Sequence, residues 1–179
     1  MSRDLNLLDG EFRSKYETVL ERCAARGFEL RTFFTVRDPW TQARLYRQDK
    51  SWPYIKDRIH MLRAHGANWL ADILEGVGPQ YGQWATNALP GQSWHQHGLA
   101  ADSFVLINGR AEWNGDHLGY QVYAEEAKRQ GLTAGYYWPG RTKDPAHVQA
   151  PKGGVLSVWT WAEIDANMRE KFGHMKEAA

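Results

Sequence analysis

The ten residues from Ser93 to Asp102 hold a hydroxyl, two imidazoles and a carboxylate: Ser93, His95, His97 and Asp102. A catalytic zinc ion is held by three protein ligands drawn from His and Asp/Glu, with the fourth position open to water. His95 and Asp102 offer two such ligands, on either side of a turn at Gly98. The third is offered by His147, in the later stretch Asp144-Pro145-Ala146-His147. Asp144 precedes it across a proline-fixed bend, a spacing that lets the carboxylate face a metal-bound water instead of the metal. That is the place of a general base in metal-assisted hydrolysis.

Each of these residues also has an ordinary reading. A histidine taken alone is more often a surface or hydrogen-bonded core residue than a ligand. Asp102 alone would be a carboxylate at a strand edge, Asp144 alone a turn former before proline, and Ser93 a turn hydroxyl bonded to its own backbone. It is the combination that points to a metal. A different metal site, built from His95, His97 and Asp102 in the manner of the cupin β-barrels, would need many short, evenly spaced strands around it. The first half of this chain reads largely as helix.

The elements that must position these residues follow from periodicity. Leu5 to Arg26 has apolar residues at spacings of three and four, with Gly27 placed as a C-terminal cap, and predicts a helix. Phe28 to Val36 alternates and predicts a strand. Asp38 then reads as an N-cap with Pro39 at the first helical position, which puts Arg37 at a strand-to-helix junction, from where its side chain can reach into a cleft. Ile55 to Leu74 continues a helical pattern interrupted at Gly66, followed by a long loop from Gly76 to Gln92. Ser103 to Ile107 is a strand closed by the hairpin signal Asn108-Gly109. Tyr120 to Arg129 predicts a helix, Leu132 to Trp138 a strand, and Ala146 to Ala150 a short strand. Thr160 and Glu163 form a capping box that opens a last helix to about Phe172. Helices with mostly hairpin-linked strands predict an α+β fold, an antiparallel sheet with flanking helices.

A length of 179 residues predicts one domain spanning residues 1–179, and a net charge of +1 with interspersed signs gives no polyanion-binding signature. Nucleic acid and membrane insertion are therefore not expected. A lone cysteine, Cys23, excludes an internal disulfide framework and suits a reducing compartment. No signal-peptide core precedes the first helix, so a cytoplasmic product is expected. The nine Trp and eight Tyr suit a cleft that binds a polar ligand. A monomer is the default expectation.

The pattern Ser93-x-His95-x-x-Gly98-x-Ala100-x-Asp102, followed by Asp144-x-x-His147, resembles the zinc peptidase family that contains the VanX and VanY D-Ala-D-Ala peptidases and the phage L-alanyl-D-glutamate endolysins. The upstream run of Arg37, Gln42, Leu45 and Tyr46 resembles that family too, so the likeness covers residues 28–149 and leaves residues 1–27 and 160–179 as flanking helices. The resemblance implies a hedgehog/DD-peptidase-like fold and a Zn2+ ion bound by His95, Asp102 and His147. It further implies Asp144 as the base that activates water and Arg37 as the stabiliser of the oxyanion. Ser93, His97, Trp94 and Trp138 become candidate substrate contacts.

Three departures from the family pattern refine the expectation. Asp144 stands where the family's carboxypeptidases have glutamate, which resembles the endolysin branch. Ala146 stands where many members place an aromatic, leaving that wall of the cleft open or filled by Trp138. His97 is an additional imidazole next to His95. The implied activity is hydrolysis of the L-Ala-D-Glu bond of peptidoglycan stem peptides, with D-Ala-D-Ala carboxypeptidase, or a non-catalytic zinc-containing cell-wall-binding domain, as alternatives. A phage endolysin without a signal peptide would stay in the host cytoplasm until a separate pore protein released it to the wall.

Overall fold

The computed structural model describes residues 2–150 and 153–175 of the chain. Helix α1 (Gly10–Ala25) starts at Asp9, whose carboxylate accepts the N–H groups of Glu11 and Phe12. The predicted helix from Leu5 is thus shorter at its start. Asp4 caps a separate 3-10 turn over Leu5–Leu7, and Asp9 restarts the helix. The end is as predicted, with Gly27 at φ +84°. Strand β1 (Leu30–Phe34) follows, then α2 (Pro39–Arg47), where the Asp38 carboxylate accepts the Thr41 N–H at 2.8 Å.

Two helices, α3 (Trp52–Ala64) and α4 (Asn68–Gly76), replace the one interrupted pattern, because the chain turns at Gly66 with φ +81°. After the long loop come β2 (Ala100–Ile107) and β3 (Arg110–Glu112), joined through Asn108 and Gly109 at φ 49° and 76°, the two positive values a tight hairpin turn requires. Helix α5 (Leu118–Arg129), β4 (Thr133–Ala134), β5 (His147–Gln149) and α6 (Trp161–Phe172) complete the order, and the Thr160/Glu163 capping box is present. The strand predicted over Leu132–Trp138 is cut to two residues. Gly135 turns the chain into a 3-10 turn, and its carbonyl accepts the Asp144 N–H at 2.9 Å.

The chain forms two compact units. The first, Met1–Val36 with His97–Lys152, contains the whole sheet, in the order β1-β2-β5-β4 with β3 also paired to β2, every pairing antiparallel. Ala101 and Val105 of β2 and Val148 of β5 pack with Phe12, Tyr16, Val19 and Cys23 of α1 and Tyr120, Tyr123 and Ala127 of α5. Alternation along a strand turns the neighbouring side chains to the other face. Two buried polar groups on the helix side are paired: the Tyr16 hydroxyl bonds Ser103 Oγ at 2.6 Å and Thr32 Oγ1 at 2.9 Å, and Glu126 takes Arg26 and Arg129. Burial, followed by the charge of Glu126, pushes the Cys23 thiol up to about 12, so it stays protonated and inert.

The second unit, Arg37–Gln96 with Gly153–Ala179, is helical. Asp165 of α6 accepts the Leu70 N–H at 2.8 Å and so caps α4, whose own N-cap, Ala67, has no side-chain acceptor. At the other end of α4, the buried Arg47 guanidinium donates to the carbonyls of Leu74 and Glu75. Gly91 sits where α4 and α6 meet; a Cβ there would stand 2.4 Å from Ile164 Cγ2.

Candidate metal centre

Asp102 and His147 are directly opposed partners on the antiparallel pair β2 and β5. Partners of that kind project to the same side of a sheet with their Cβ atoms about 5 Å apart. Val148 and Ala101 face the helices, so Asp102 and His147 occupy the opposite face. His147 Nδ1 lies 3.0 Å from Asp102 Oδ1. His95 comes from the 3-10 turn Trp94–His97 that leads into β2. The bend between them needs Gly98, at φ +75°, whose carbonyl accepts the Asp9 N–H at 2.9 Å. A Cβ on Gly98 would stand 3.0 Å from Leu7 O, so a side chain is crowded as well as conformationally strained.

The candidate ligand atoms of His95, Asp102 and His147 all lie within 4.8 Å of one another. Two imidazoles and a carboxylate form a donor set suited to zinc. Ligands ~2.0–2.1 Å from a tetrahedral zinc stand ~3.3 Å apart, close to the 3.0 Å between Asp102 and His147, so that pair fits such an ion and His95 supplies a third donor of the right chemistry within 4.8 Å. His147 is buried, which opposes its protonation, but the hydrogen bond to Asp102 and the negative charges of Asp102 and Asp144 outweigh that and raise its pKa. A cation bound there replaces the proton as the partner of these carboxylates.

Asp144 is exposed and lies on the bend that delivers His147. Its N–H is held by Gly135 O, and its carbonyl accepts the His147 N–H at 3.1 Å. Two glycines make room for this bend. A Cβ on Gly135 would stand 2.5 Å from Asp144 O and 3.2 Å from His147 Cβ, and one on Gly115 would stand 2.6 Å from Pro145 Cγ. Neither glycine is marked by a turn motif in the sequence; the close approach is visible only in three dimensions.

Within the second unit, Arg37 is half-buried, and its Nη1 donates to Gln42 Oε1 at 2.9 Å. Gln42 is fully buried and passes the contact on, its Nε2 donating to Ala88 O in the long loop at 2.7 Å. The remaining predicted residues divide. Ser93 and His97 are half-buried, Ser93 through its carbonyl opening the 3-10 turn by accepting the Gln96 N–H. Trp94 is packed, 4% exposed, with its indole N–H donated to Gly153 O and its ring 5.8 Å from that of Trp159. Trp138 is half-buried with its ring 5.1 Å from the His147 imidazole.

One buried polar residue beside the site has no counterpart in the sequence reading. Gln149, two residues after His147 on the same face of β5, places Oε1 3.0 Å from His147 Nε2. Period-2 alternation from His147 is the signal that points to it.

No family model matches the chain, and no curated protein matches it. Among solved structures it is similar to a mutant of the vancomycin resistance D,D-pentapeptidase VanY from a VanB-type resistance cassette, in complex with Zn(II). The identity is 17%, the coverage 91% of this chain and 78% of that chain, and the TM-score 0.48. It is also similar to the LdcB LD-carboxypeptidase, at 19% identity over 94% of this chain and 70% of that chain, with a TM-score of 0.44.

Proposed function

We propose that the chain is a zinc-dependent peptidase of peptidoglycan stem peptides, cutting the L-Ala-D-Glu bond. The observation that supports this most is the convergence of His95, Asp102 and His147 into one cluster of ligand atoms, with Asp144 on the bend before His147. The spacing of these residues together with Ser93, Gly98 and Ala100 resembles the peptidase family described above, and an aspartate at position 144 resembles its endolysin branch.

His95, Asp102 and His147 would hold a zinc ion, which when bound would supply polarisation of the scissile carbonyl and acidification of water. Asp144 takes the proton of the attacking water and returns it to the departing amine nitrogen as the C–N bond breaks. Arg37 offers its guanidinium N–H groups to the negative charge that develops on the carbonyl oxygen. Gln42 Oε1, on an amide whose Nε2 donates to Ala88 O, limits the positions that guanidinium adopts.

The test is mass spectrometry of purified peptidoglycan digested by the protein with and without a chelator. Fragments with a new D-Glu amino terminus that vanish on chelation are expected. Loss of only a terminal D-Ala would make the protein a carboxypeptidase. No chelator-sensitive product from a folded, zinc-loaded sample would overturn the peptidase reading.

A further inference from the structure

The two nitrogens of an imidazole point in opposite directions, and both of those of His147 are engaged: Nδ1 faces Asp102 Oδ1 at 3.0 Å, and Nε2 faces Gln149 Oε1 at 3.0 Å. Gln149 is 7% exposed and lies on β5, in register with Ala100 of β2 and Thr133 of β4, so its side chain starts from a backbone held on both edges. Both oxygens only accept hydrogen bonds, but only the Asp102 side faces the other candidate ligands, so a bound cation would take the place of the proton there while the nitrogen facing Gln149 keeps its own. A metal needs the lone pair of the other nitrogen. The second partner of a ligating imidazole thereby sets both the tautomer and the ring orientation.

We propose that Gln149 is a positioning residue for the metal centre, holding His147 as the Nε2–H tautomer so that the Nδ1 lone pair is presented beside Asp102. The inference rests on the reading of His95, Asp102 and His147 as ligands. It adds a residue that does not touch the ion and acts only through His147. A leucine at position 149 keeps the volume and the apolar contacts but removes the acceptor, leaving the Nε2 proton unpaired in a buried site. Glutamate keeps an acceptor oxygen at the same reach.

The experiment is a competition titration of zinc(II) chloride against a chromophoric chelator, on wild-type protein, Q149L and Q149E. Q149L should bind zinc ten- to a hundred-fold more weakly, on the order seen for loss of such partners, while Q149E retains the affinity. In the zinc-loaded wild type, nitrogen-15 NMR should show the His147 proton on Nε2 and the metal on Nδ1. Wild-type protein that binds no zinc would remove the ligand assignment, and this inference with it. Tight zinc binding by wild type and Q149L alike would overturn the role of Gln149 alone. Should Q149L fail to fold, the wild-type spectrum decides: a proton on Nδ1 with zinc on Nε2 overturns the proposal.

Discussion

Along β2, the side chains of Ala101, Ser103 and Val105 turn toward α1 and α5, whereas Asp102 turns the other way, toward His147. The same division runs through β5, where Val148 is packed in the core between His147 and Gln149. Because the side-chain period of a strand is two, a slip of one residue would exchange these faces and bury carboxylate and imidazole among aromatic rings. The apolar face therefore fixes the register, and the register places the ligands. The other face is left to hold polar groups, His147 and Gln149, which are buried but engaged by hydrogen bonds.

The sharpest way to break that comparison is at Asp102. D102A should reduce zinc stoichiometry to near zero and abolish cleavage, while circular dichroism and cooperative unfolding persist, since the carboxylate lies outside the packed face. The companion variant, Asp144→Ala, separates binding from chemistry. Zinc should stay bound, and kcat should fall by ~10²–10⁴-fold, the usual worth of a general base. Unchanged cleavage by D144A would remove that residue from the mechanism.

A smaller effect is expected where the bend is shaped without taking part in ligation. Gly135→Ala places a methyl 2.5 Å from Asp144 O and 3.2 Å from the Cβ atoms of Asp144 and His147, so the bend must shift. A displacement of ~1 Å costs about a hundred-fold in rate when the reacting groups are otherwise intact. Zinc binding, measured by the same competition titration, should weaken far less than kcat. An unaltered kcat would show that the bend has slack.

How much of this was legible in the sequence depends on how local the signal is. The ligand pattern could be read because His95, Gly98 and Asp102 lie within one turn and one strand start, and because Asp144 and His147 share one proline-fixed bend. Helix ends were legible where a cap competes with nothing, as at Asp38 and Thr160, and were missed at Asp9, because the apolar spacing runs back to Leu5 through the separate 3-10 turn that Asp4 caps. The strand expected over Leu132–Trp138 failed because the Gly135 carbonyl is claimed by the backbone N–H of Asp144, across an intervening loop that leaves no mark on the alternation. Gln149 was within reach of the sequence, since alternation from His147 along the predicted strand puts it on the same face, whereas Gly135 acts only through what it faces and had no such signal.

The smallest effect belongs to the packed face, at the immediate neighbour of a ligand. Ser103→Ala removes the hydroxyl that lies 2.6 Å from the Tyr16 hydroxyl. Tyr16 is fully buried but retains Thr32 Oγ1 at 2.9 Å, so it is not orphaned, and the cost should fall near the lower end of the ~1–3 kcal/mol range for a broken buried hydrogen bond. For a chain of this size that corresponds to a fall in Tm of roughly 2–4 °C. Zinc affinity and kcat should not change, because Ser103 and Asp102 share a backbone but project to opposite faces. Parallel loss of stability and zinc affinity in this variant, read by thermal unfolding and chelator competition, would mean that the helix-packed layer and the metal layer are mechanically coupled through β2.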